Sequence, residues 1–500
     1  MSVTKNEITH ILEVIRELYL SDEVPWVIGY SGGKDSTATV QLVWMALSEL
    51  HGTERNHKTV HIISTDTLVE SPIVAKWVEI SLKRIELKAK EEELPFVAHK
   101  LIPDTNDTYW VNLLGRGYPY PRPTMRWCTD RLKIKPANAF IQNVVSTYGE
   151  VILLLGTRKA ESVNRARSMQ RYEQARIREY LSPNGSLQNQ LVFSPLEDWT
   201  NDDVWFFLMQ YQNPWGHSNK ELLTMYKGAT ADNECPLVVN TDTPSCGKSR
   251  FGCWMCTLVE KDKSMEAMIM NDSEKEWMTP LLEFRNMIAN AELDRGRRDF
   301  RRMSGQLLLY KGRLVHGPYR REIREEWLET LLRIQKDVQI DGPKEFATLE
   351  LITYEELKNI REIWVQEKHE FVDSLPKIYQ RVFGVPFECA TLENDGYGEH
   401  EWELIQSICN QVHPDEELLP QLVTGLISIE QQALEQQKRY GLQKVIESHV
   451  RRSFYRDEID AHEYASERLQ RKIEHGAAFD PKARTQDSAA ILSNGSEGQE

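Results

Sequence analysis

Apolar residues along the first 210 positions recur with two alternating patterns. Residues 4–20, 35–50 and 72–93 repeat apolar side chains every three or four positions, which predicts amphipathic helices. Short, continuously apolar runs separate these helices and are predicted to be strands, at residues 26–30, 60–63 and 150–155. Strands that alternate with helices indicate an α/β fold with a doubly wound, mostly parallel sheet, whose ligands bind beyond the carboxyl ends of the strands.

The pattern changes after about residue 213. Residues 214–324 show little regularity and concentrate cysteines, glycines and then arginines, whereas residues 325–475 have helical periodicity and many acidic side chains. The tail is rich in Ser, Gly, Ala and Asp, a composition typical of disorder. The predicted domains are therefore 1–213, 214–324, 325–475 and a disordered tail, 476–500.

Charge is distributed unevenly along the chain. The net charge is −15, yet residues 294–324 carry ten basic and three acidic side chains, and the acidic excess lies after residue 324. No apolar run reaches the ~18 residues of a membrane span. The first residues also lack the apolar core of a signal peptide, so we expect a cytoplasmic protein without membrane contact.

The first predicted strand is followed by a loop suited to phosphate binding. Glycines allow backbone N–H groups to approach an anion, and the start of a helix adds a positive dipole end. Lys34 can pair with phosphates and Asp35 can bind Mg²⁺, while two serines can donate hydrogen bonds. The loop is Ser31-Gly32-Gly33-Lys34-Asp35-Ser36. It predicts an enzyme that uses ATP or a close analogue.

Four cysteines follow the spacing C-x10-C-x6-C-x2-C within one short segment. They are Cys235, Cys246, Cys253 and Cys256. Four thiolates can hold a tetrahedral zinc ion or a four-iron–four-sulfur cluster, and metal binding would then stabilise the segment. Zinc ribbons usually pair two C-x2-C turns, and this segment has one, which favours iron–sulfur over zinc. Unrelated structural cysteines are the other interpretation.

Cys128 lies apart from these four, in a stretch with several cationic side chains. We expect four cationic side chains to lower the pKa of its thiol and favour the thiolate: Arg126, Arg131, Lys133 and Lys135. Such a cysteine can carry a persulfide, contribute to a cluster or simply be buried, and the spacing leaves these three alternatives open.

The basic segment, residues 294–324, interleaves cations with aromatic residues, which suits contact with a phosphodiester backbone. The candidate DNA-binding residues are Arg297, Arg298, Arg301, Arg302, Arg320 and Arg321. The alternative is that these arginines form a solvated helix face or pair with the acidic region after residue 324.

The loop at Ser31–Ser36 resembles the PP-loop of ATP pyrophosphatases. Three further stretches are similar to segments of PAPS reductases and sulfate adenylyltransferase small subunits: residues 64–67 with Glu70, residues 156–162, and residues 195–200. The resemblance implies that the nucleotide is bound by Ser31, Gly32, Gly33, Lys34, Asp35, Ser36, Asp66, Gly156, Arg158 and Glu161. The stretch around Cys128 departs from the family pattern, since cluster-bearing members have two adjacent cysteines there.

Together with the cysteine segment, the basic segment and the helical region, this loop resembles the DndC family of DNA phosphorothioation sulfurtransferases. The resemblance implies ATP hydrolysis, a 4Fe-4S cluster, a cysteine desulfurase as sulfur donor, and assembly with other Dnd proteins on DNA. It also implies that sulfur replaces a non-bridging oxygen of the DNA backbone.

On this hypothesis Lys34, Asp35, Cys128 and Arg158 are the catalytic residues, and ATP activates the DNA phosphate by adenylation. Three alternatives remain. A PAPS or APS reductase uses a cysteine in a Glu-Cys-Gly-type segment, and residues 476–500 contain none. A tRNA-thiolating enzyme uses the same loop. A DNA-binding scaffold would use the nucleotide only for regulation.

Overall fold

The structure is a computed structural model of the 500-residue chain. It describes residues 3–176, 178–184, 189–229, 252–370, 372–388, 399–414, 416, 418–435, 441–453 and 455–476. The chain divides into two compact units. Unit 1 comprises Met1–Tyr109, Pro121–Ala289 and Asp337–Leu351, and unit 2 comprises Trp110–Tyr120, Asn290–Lys336 and Ile352–Glu500. The four domains expected from the sequence stay a prediction.

Unit 1 is built on a six-stranded sheet. Its strands are β1 (Trp26–Gly29), β2 (Val60–Thr65), β3 (Phe96–Leu101), β4 (Val151–Leu154), β5 (Ser182–Pro183) and β6 (Gln190–Phe193). They lie in the order β3-β2-β1-β4-β6-β5, and all neighbouring pairs are parallel except β5 and β6. The strand order reverses between β1 and β4, which is where doubly wound sheets bind their ligands.

The central strands agree with the sequence pattern. Trp26, Val27 and Ile28 are fully buried in β1, and all four residues of β4 are buried, as expected for strands covered by helices on both faces. The predicted parallel α/β fold is confirmed. Strand β3 was not predicted because His99 and Lys100 interrupt its apolar run, and it lies at the edge of the sheet.

Helices make up most of the remaining described chain. They are α1 (Lys5–Leu20), α2 (Lys34–Ser48), α3 (Pro72–Glu91), α4 (Trp127–Thr129), α5 (Lys135–Tyr148), α6 (Val163–Gln174), α7 (Asn201–Gln210), α8 (Asn219–Gly228), α9 (Lys263–Asn271), α10 (Thr279–Ile288), α11 (Ala291–Asp294), α12 (Arg321–Asp341), α13 (Tyr354–Glu362), α14 (Ser374–Phe383), α15 (Glu399–Val412), α16 (Leu419–Glu435), α17 (Leu442–Arg452) and α18 (Glu458–Gly476). The predicted helical region after residue 324 is confirmed. The expected irregularity of 214–324 is wrong for α8, α9 and α10, which are short and amphipathic.

Helix α2 is the central helix of unit 1. All but a few of its residues are buried, including the large side chain of Trp44, which stacks on Phe96 of β3 with ring centroids 4.9 Å apart. Its buried Gln41 donates to the carbonyl oxygen of Tyr211 at 3.1 Å. Because α2 begins at the predicted phosphate loop, the position of that loop is fixed by the packing of the core.

Unit 2 contains a small hairpin, β7 (Leu309–Tyr310) and β8 (Arg313–Leu314), among helices. Tyr319 is buried, donates to Asp294 at 2.6 Å and packs edge-on against Trp327. Arg324 is buried and pairs with Glu370. Over the described part of the chain, no helix combines the length and the apolar character needed to cross a membrane.

Strands β2 and β3 bring two histidines together. The Nδ1 of His61 lies 3.0 Å from the Nε2 of His99, and Phe140 packs on both rings. Burial, and to a smaller extent the charge of the neighbouring His99, lower the pKa of His61 to about 4. The folded chain therefore resists protonation of His61 at a pH where the unfolded chain accepts a proton.

We expect the free energy of unfolding to fall as the pH drops from 6.5 to 4, with about 1–2 kcal/mol of this loss due to His61. Denaturant unfolding of His61→Gln across this range should show a weaker pH dependence than the wild type. His10→Gln, an exposed histidine of α1, is the control. Equal pH dependence in His61→Gln and the wild type would contradict this account.

Candidate functional site

The predicted phosphate loop lies at the carboxyl end of β1, where the strand order reverses. The Ser36 hydroxyl donates to the carbonyl oxygen of Gly33 at 3.0 Å and accepts from the backbone N–H of Ser31 at 3.2 Å. These two bonds close the loop upon itself. The last loop residues form the first turn of α2, whose N–H groups have no acceptor within the helix.

Both loop glycines are closely surrounded, and Gly32 is also required by its backbone conformation. Gly32 has a φ of +71°, and a Cβ atom there would lie 2.5 Å from Val78. A Cβ atom on Gly33 would lie 3.1 Å from the Tyr226 hydroxyl oxygen. The backbone of the loop is therefore packed closely from behind by side chains of α3 and α8.

Asp35 is held between two cations. The Arg158 Nε donates to its carboxylate at 2.7 Å, and the Lys34 Nζ does so at 3.0 Å. Arg158 is buried, whereas the other two are partly accessible. One carboxylate against two cations leaves one positive charge beside the amino-terminal end of α2. This arrangement favours the binding of an anion such as a polyphosphate.

Arg158 comes from the loop after β4. Gly156 precedes it, and a Cβ atom there would lie 2.8 Å from the backbone oxygen of Asp35. Glu161 accepts a hydrogen bond from the backbone N–H of Arg158 at 3.0 Å and pairs with Arg165 at 3.4 Å. Glycine thus permits the two loops to touch, and Glu161 fixes the turn that presents Arg158.

Two residues of this site were missed by sequence reasoning. The Tyr226 hydroxyl accepts from the backbone N–H of Lys34 at 3.3 Å, and burial raises the pKa of Tyr226. The Trp77 Nε1 donates to the carbonyl oxygen of Gly32 at 3.1 Å. Neither residue lies in a recognisable motif, and only the fold brings α3 and α8 to the loop.

Asp66 follows β2, as predicted, but its carboxylate is engaged locally. It pairs with Lys100 at 2.8 Å and accepts from the backbone N–H of Leu68 at 2.8 Å. Its role in binding nucleotide, like those of the other predicted site residues, stays a prediction.

A thiol lies close to the same edge of the sheet. The backbones of Cys253 and Glu70, which follows β2, pair as an isolated antiparallel β-bridge. The Cys253 Sγ is 3.2 Å from the Thr67 hydroxyl oxygen and 3.7 Å from the Glu70 carboxylate. The backbone N–H of Trp254 donates to the carbonyl oxygen of Val69 at 2.9 Å. Burial raises the pKa of Cys253, so in the absence of a metal the thiol holds its proton.

Cys128 lies in α4, close enough to Cys256 for the charge of a Cys256 thiolate to raise the pKa of Cys128. Both, together with Cys253, raise the pKa of the buried Tyr109, although burial contributes most. Three cysteines from two distant stretches of sequence are therefore close enough to one tyrosine for their charges to affect its pKa. Of these three cysteines, the sequence pattern groups only Cys253 and Cys256 together.

The expected thiolate character of Cys128 is wrong. Burial raises the pKa of its thiol, and three of the four nearby cations are paired with carboxylates. Arg131 and Lys135 pair with Asp107, the first at 3.2 Å, and Lys133 pairs with Glu70 at 3.2 Å. A cation that is already paired with a carboxylate has little effect on the pKa of a buried thiol.

The predicted metal ligands are only partly described. Cys235 and Cys246 lie outside the described residues, and among those that are described no group of three or more His, Cys, Asp or Glu could hold a metal ion. Cys253 and Cys256 nevertheless form a tight turn, with the Cys256 N–H donating to the Cys253 carbonyl oxygen at 3.0 Å. Two thiols presented by one such turn fit the donor chemistry of an iron–sulfur or zinc site.

Several arginines of the basic segment pair within unit 2. Arg298 pairs with Asp294 at 2.9 Å, and Arg321 pairs with Glu325 at 2.7 Å. Arg301 lies against Asp299 at 2.5 Å.

The other three candidates are arranged differently. The guanidinium of Arg297 lies over the ring of Trp327, 5.6 Å from its centroid. Arg320 is exposed and donates to the carbonyl oxygen of Gly296 at 2.5 Å, and Arg302 is exposed. The segment is therefore largely an internally paired structure, with Arg302 and Arg320 at its surface.

Comparison with known proteins agrees with this geometry. Residues 25–259 match the family model described as the phosphoadenosine phosphosulfate reductase domain. This part of the chain is thus a PAPS reductase-like domain of the PP-loop type, and it contains the loop, Arg158, Cys128, Cys253 and Cys256.

Particular relatives are more distant. Two uncharacterized proteins of Methanocaldococcus jannaschii, MJ0066 and MJ0973, are 24% and 22% identical over 49% and 45% of this chain. The matches cover only 39% and 40% of those proteins. Among solved structures, PAPS reductase from Candida auris is 15% identical, with a TM-score of 0.26 over 44% of this chain and 92% of that one. The U34-tRNA thiolase NcsA from Methanococcus maripaludis, with its [4Fe-4S] cluster, is 14% identical, with a TM-score of 0.28 over 58% of this chain and 81% of that one.

The close approach of Gly156 to Asp35 gives a prediction. In Gly156→Ala the added methyl group must displace the start of α2, so we expect binding of a non-hydrolysable ATP analogue with Mg²⁺ to weaken about tenfold or more. Isothermal titration calorimetry measures this effect. Gly296→Ala is the matched control, since a Cβ atom there meets open space. Unchanged affinity in Gly156→Ala would show that nucleotide does not use this contact between the loops.

Proposed function

We propose that this chain is an ATP-pyrophosphatase-type sulfurtransferase of DNA phosphorothioation. ATP would activate a backbone phosphate of DNA, and sulfur would replace one of its non-bridging oxygens. One observation carries the proposal: the phosphate loop follows β1, and the Cys253 thiol lies beside Glu70, which follows the neighbouring strand β2. A nucleotide-activating loop and thiols at one sheet edge suit an enzyme that first activates an oxygen and then replaces it with sulfur.

The first step is adenylation. A non-bridging oxygen of the DNA phosphate attacks the α-phosphorus of ATP, the bond from that phosphorus to the bridging oxygen breaks, and pyrophosphate leaves. This step is needed because an unmodified phosphate oxygen is a very poor leaving group. Lys34 and Arg158 stabilise the charge that builds up on the phosphates, and Asp35 is the proposed ligand of Mg²⁺.

The second step is displacement. A hydrosulfide equivalent attacks the activated DNA phosphorus, a phosphorus–sulfur bond forms, and the bond to the AMP oxygen breaks. AMP leaves with the oxygen that came from DNA, and the sulfhydryl proton passes to solvent. With free sulfide as the donor, no atom changes oxidation state. In the proposed physiological route a cysteine desulfurase supplies the sulfur as a persulfide on Cys128 or another of the clustered cysteines. The outer persulfide sulfur then attacks the phosphorus, a second cysteine thiol cleaves the sulfur–sulfur bond to release the phosphorothioate, and the disulfide left on the protein is reduced by an external thiol.

The proposed cofactor is a 4Fe-4S cluster held by Cys235, Cys246, Cys253 and Cys256. When bound, such a cluster would stabilise the cysteine segment and supply redox-active iron. The proposed partners are DNA and the other Dnd proteins, and the proposed location is the cytoplasm. Arg302 and Arg320 are the exposed members of the predicted DNA-binding set.

The central experiment supplies DNA, Mg-ATP and sulfide to the purified protein. We expect AMP, pyrophosphate and phosphorothioate linkages in equal amounts, the last measured by mass spectrometry of nuclease digests. Lys34→Ala should reduce all three about a hundredfold, because a charge that stabilises the transition state is removed. Lys90→Ala, an exposed lysine of α3, is the control.

Three outcomes would contradict the proposal. Absence of AMP and pyrophosphate with DNA and sulfide present would exclude adenylation of DNA. Modification that survives in Lys34→Ala, with DNA binding intact, would favour the scaffold with a regulatory nucleotide site. A parallel reaction with tRNA should give no thiolated base, and thiolated tRNA would favour the alternative enzyme.

The cofactor is tested separately by anaerobic purification followed by absorption and EPR spectroscopy and by iron and zinc analysis. We expect about four iron atoms per chain in the wild type, and loss of iron in Cys253→Ser and Cys256→Ser. Cys409→Ser, a buried cysteine of α15, is the matched control. Zinc without iron would overturn the cluster assignment.

A further inference from the structure

Helix α6 differs from the other helices of eight or more residues in unit 1. None of its twelve residues is buried, and even its apolar Val163 is 67% exposed. A short helix of a globular protein usually has one apolar face directed to the core, and that packing provides most of its stability. Helix α6 lacks this support from the described residues.

Local interactions at its first turn hold α6 in place. The Ser162 hydroxyl accepts from the backbone N–H of Arg165 at 3.2 Å, and Arg165 pairs with Glu161 at 3.4 Å. Glu173, the acidic residue of the helix, is engaged by Lys159 at 3.4 Å. The helix is therefore anchored to the turn that presents Arg158, and its own acidic side chain is neutralised.

The outer face of α6 carries polar and cationic side chains. Arg167 and Arg171 are one turn apart, and like charges at this spacing destabilise an isolated helix. Within the described part of the chain, neither arginine has a carboxylate partner. An open depression of about 660 Å³ follows this face, lined by Asn164, Arg167, Ser168, Gln170, Arg171 and Gln174. Every one of these side chains can donate a hydrogen bond.

We infer that this face of α6 binds the phosphodiester backbone of the DNA duplex. Positions 164, 167, 168, 171 and 174 recur every three or four residues, so they form one continuous stripe along the helix. Twelve residues span about 18 Å, which corresponds to about five phosphates of one strand of a duplex. The phosphates of DNA would neutralise Arg167 and Arg171, and the amide and hydroxyl groups of this face would bind phosphate oxygens.

The position of α6 relates this surface to the chemistry. The helix begins two residues after the turn of Arg158 and Glu161, and Arg158 pairs with Asp35 of the phosphate loop. A DNA strand that lies along α6 therefore extends toward the region of Lys34 and Arg158. The inference rests on the proposed function for its choice of DNA, and it assigns to α6 the role of positioning the strand.

The test is binding of a 25-base-pair duplex to the full chain, followed by fluorescence anisotropy over a range of KCl concentrations. We expect Arg167→Ala/Arg171→Ala to weaken binding about tenfold and to reduce the salt slope by nearly 2, about 0.9 for each phosphate that an arginine no longer neutralises. Lys83→Ala/Lys90→Ala removes the same charge from exposed positions of α3 and should bind as the wild type does. Both double variants should keep the wild-type unfolding midpoint, since exposed side chains contribute little to stability.

Equal affinity and equal salt slope in the α6 variant and the α3 control would overturn the inference. Failure of the wild-type protein to bind the duplex would also overturn it. The same holds if binding of an acidic peptide, measured in the same way, is lost in the α6 variant while binding of DNA is kept. The proposed function fails differently, through a wild-type protein that binds the duplex by α6 yet forms no AMP or phosphorothioate. If Arg167→Ala/Arg171→Ala binds DNA as the wild type does and still forms phosphorothioate, α6 does not position the DNA, and the proposed function stands.

Discussion

The ion pair between Arg158 and Asp35 is the interaction on which the site depends. A buried guanidinium is stable only with a well-placed partner, and the two residues come from loops after β1 and β4. Their pairing joins the loops at the point where the strand order reverses. Gly156 makes the approach possible because it leaves room for the backbone of Asp35. Lys34 then adds the unbalanced positive charge that an anion requires.

The thiol region is attached to the sheet by backbone hydrogen bonds. The N–H of Ser71 donates to the carbonyl oxygen of Gly252 at 3.2 Å, and the bridge between Glu70 and Cys253 lies beside this bond. The cysteine turn is therefore positioned by the end of β2. Lys133 brings the stretch that contains Cys128 to the same place through Glu70. Residues far apart in sequence meet here because parallel strands end at a common edge.

The sequence predicted the fold best where the signal was local. Apolar runs located β1, β2 and β4, and glycines and charges indicated the phosphate loop, whereas Arg158 was indicated by the resemblance of residues 156–162 to a PAPS reductase segment. Strand β3 was missed because His99 and Lys100 break its apolar run. Tyr226 could not be predicted because only tertiary packing brings it to Lys34, and the pKa of Cys128 was misjudged because cation count does not reveal which carboxylates those cations meet.

The burial of α2 has a consequence for how the nucleotide loop moves. Local openings of a protein occur where few apolar contacts are broken, and the loop leads directly into a helix that forms the centre of unit 1. Separating the loop from its neighbours would require disruption of that centre. The phosphate site should therefore persist for as long as unit 1 stays folded.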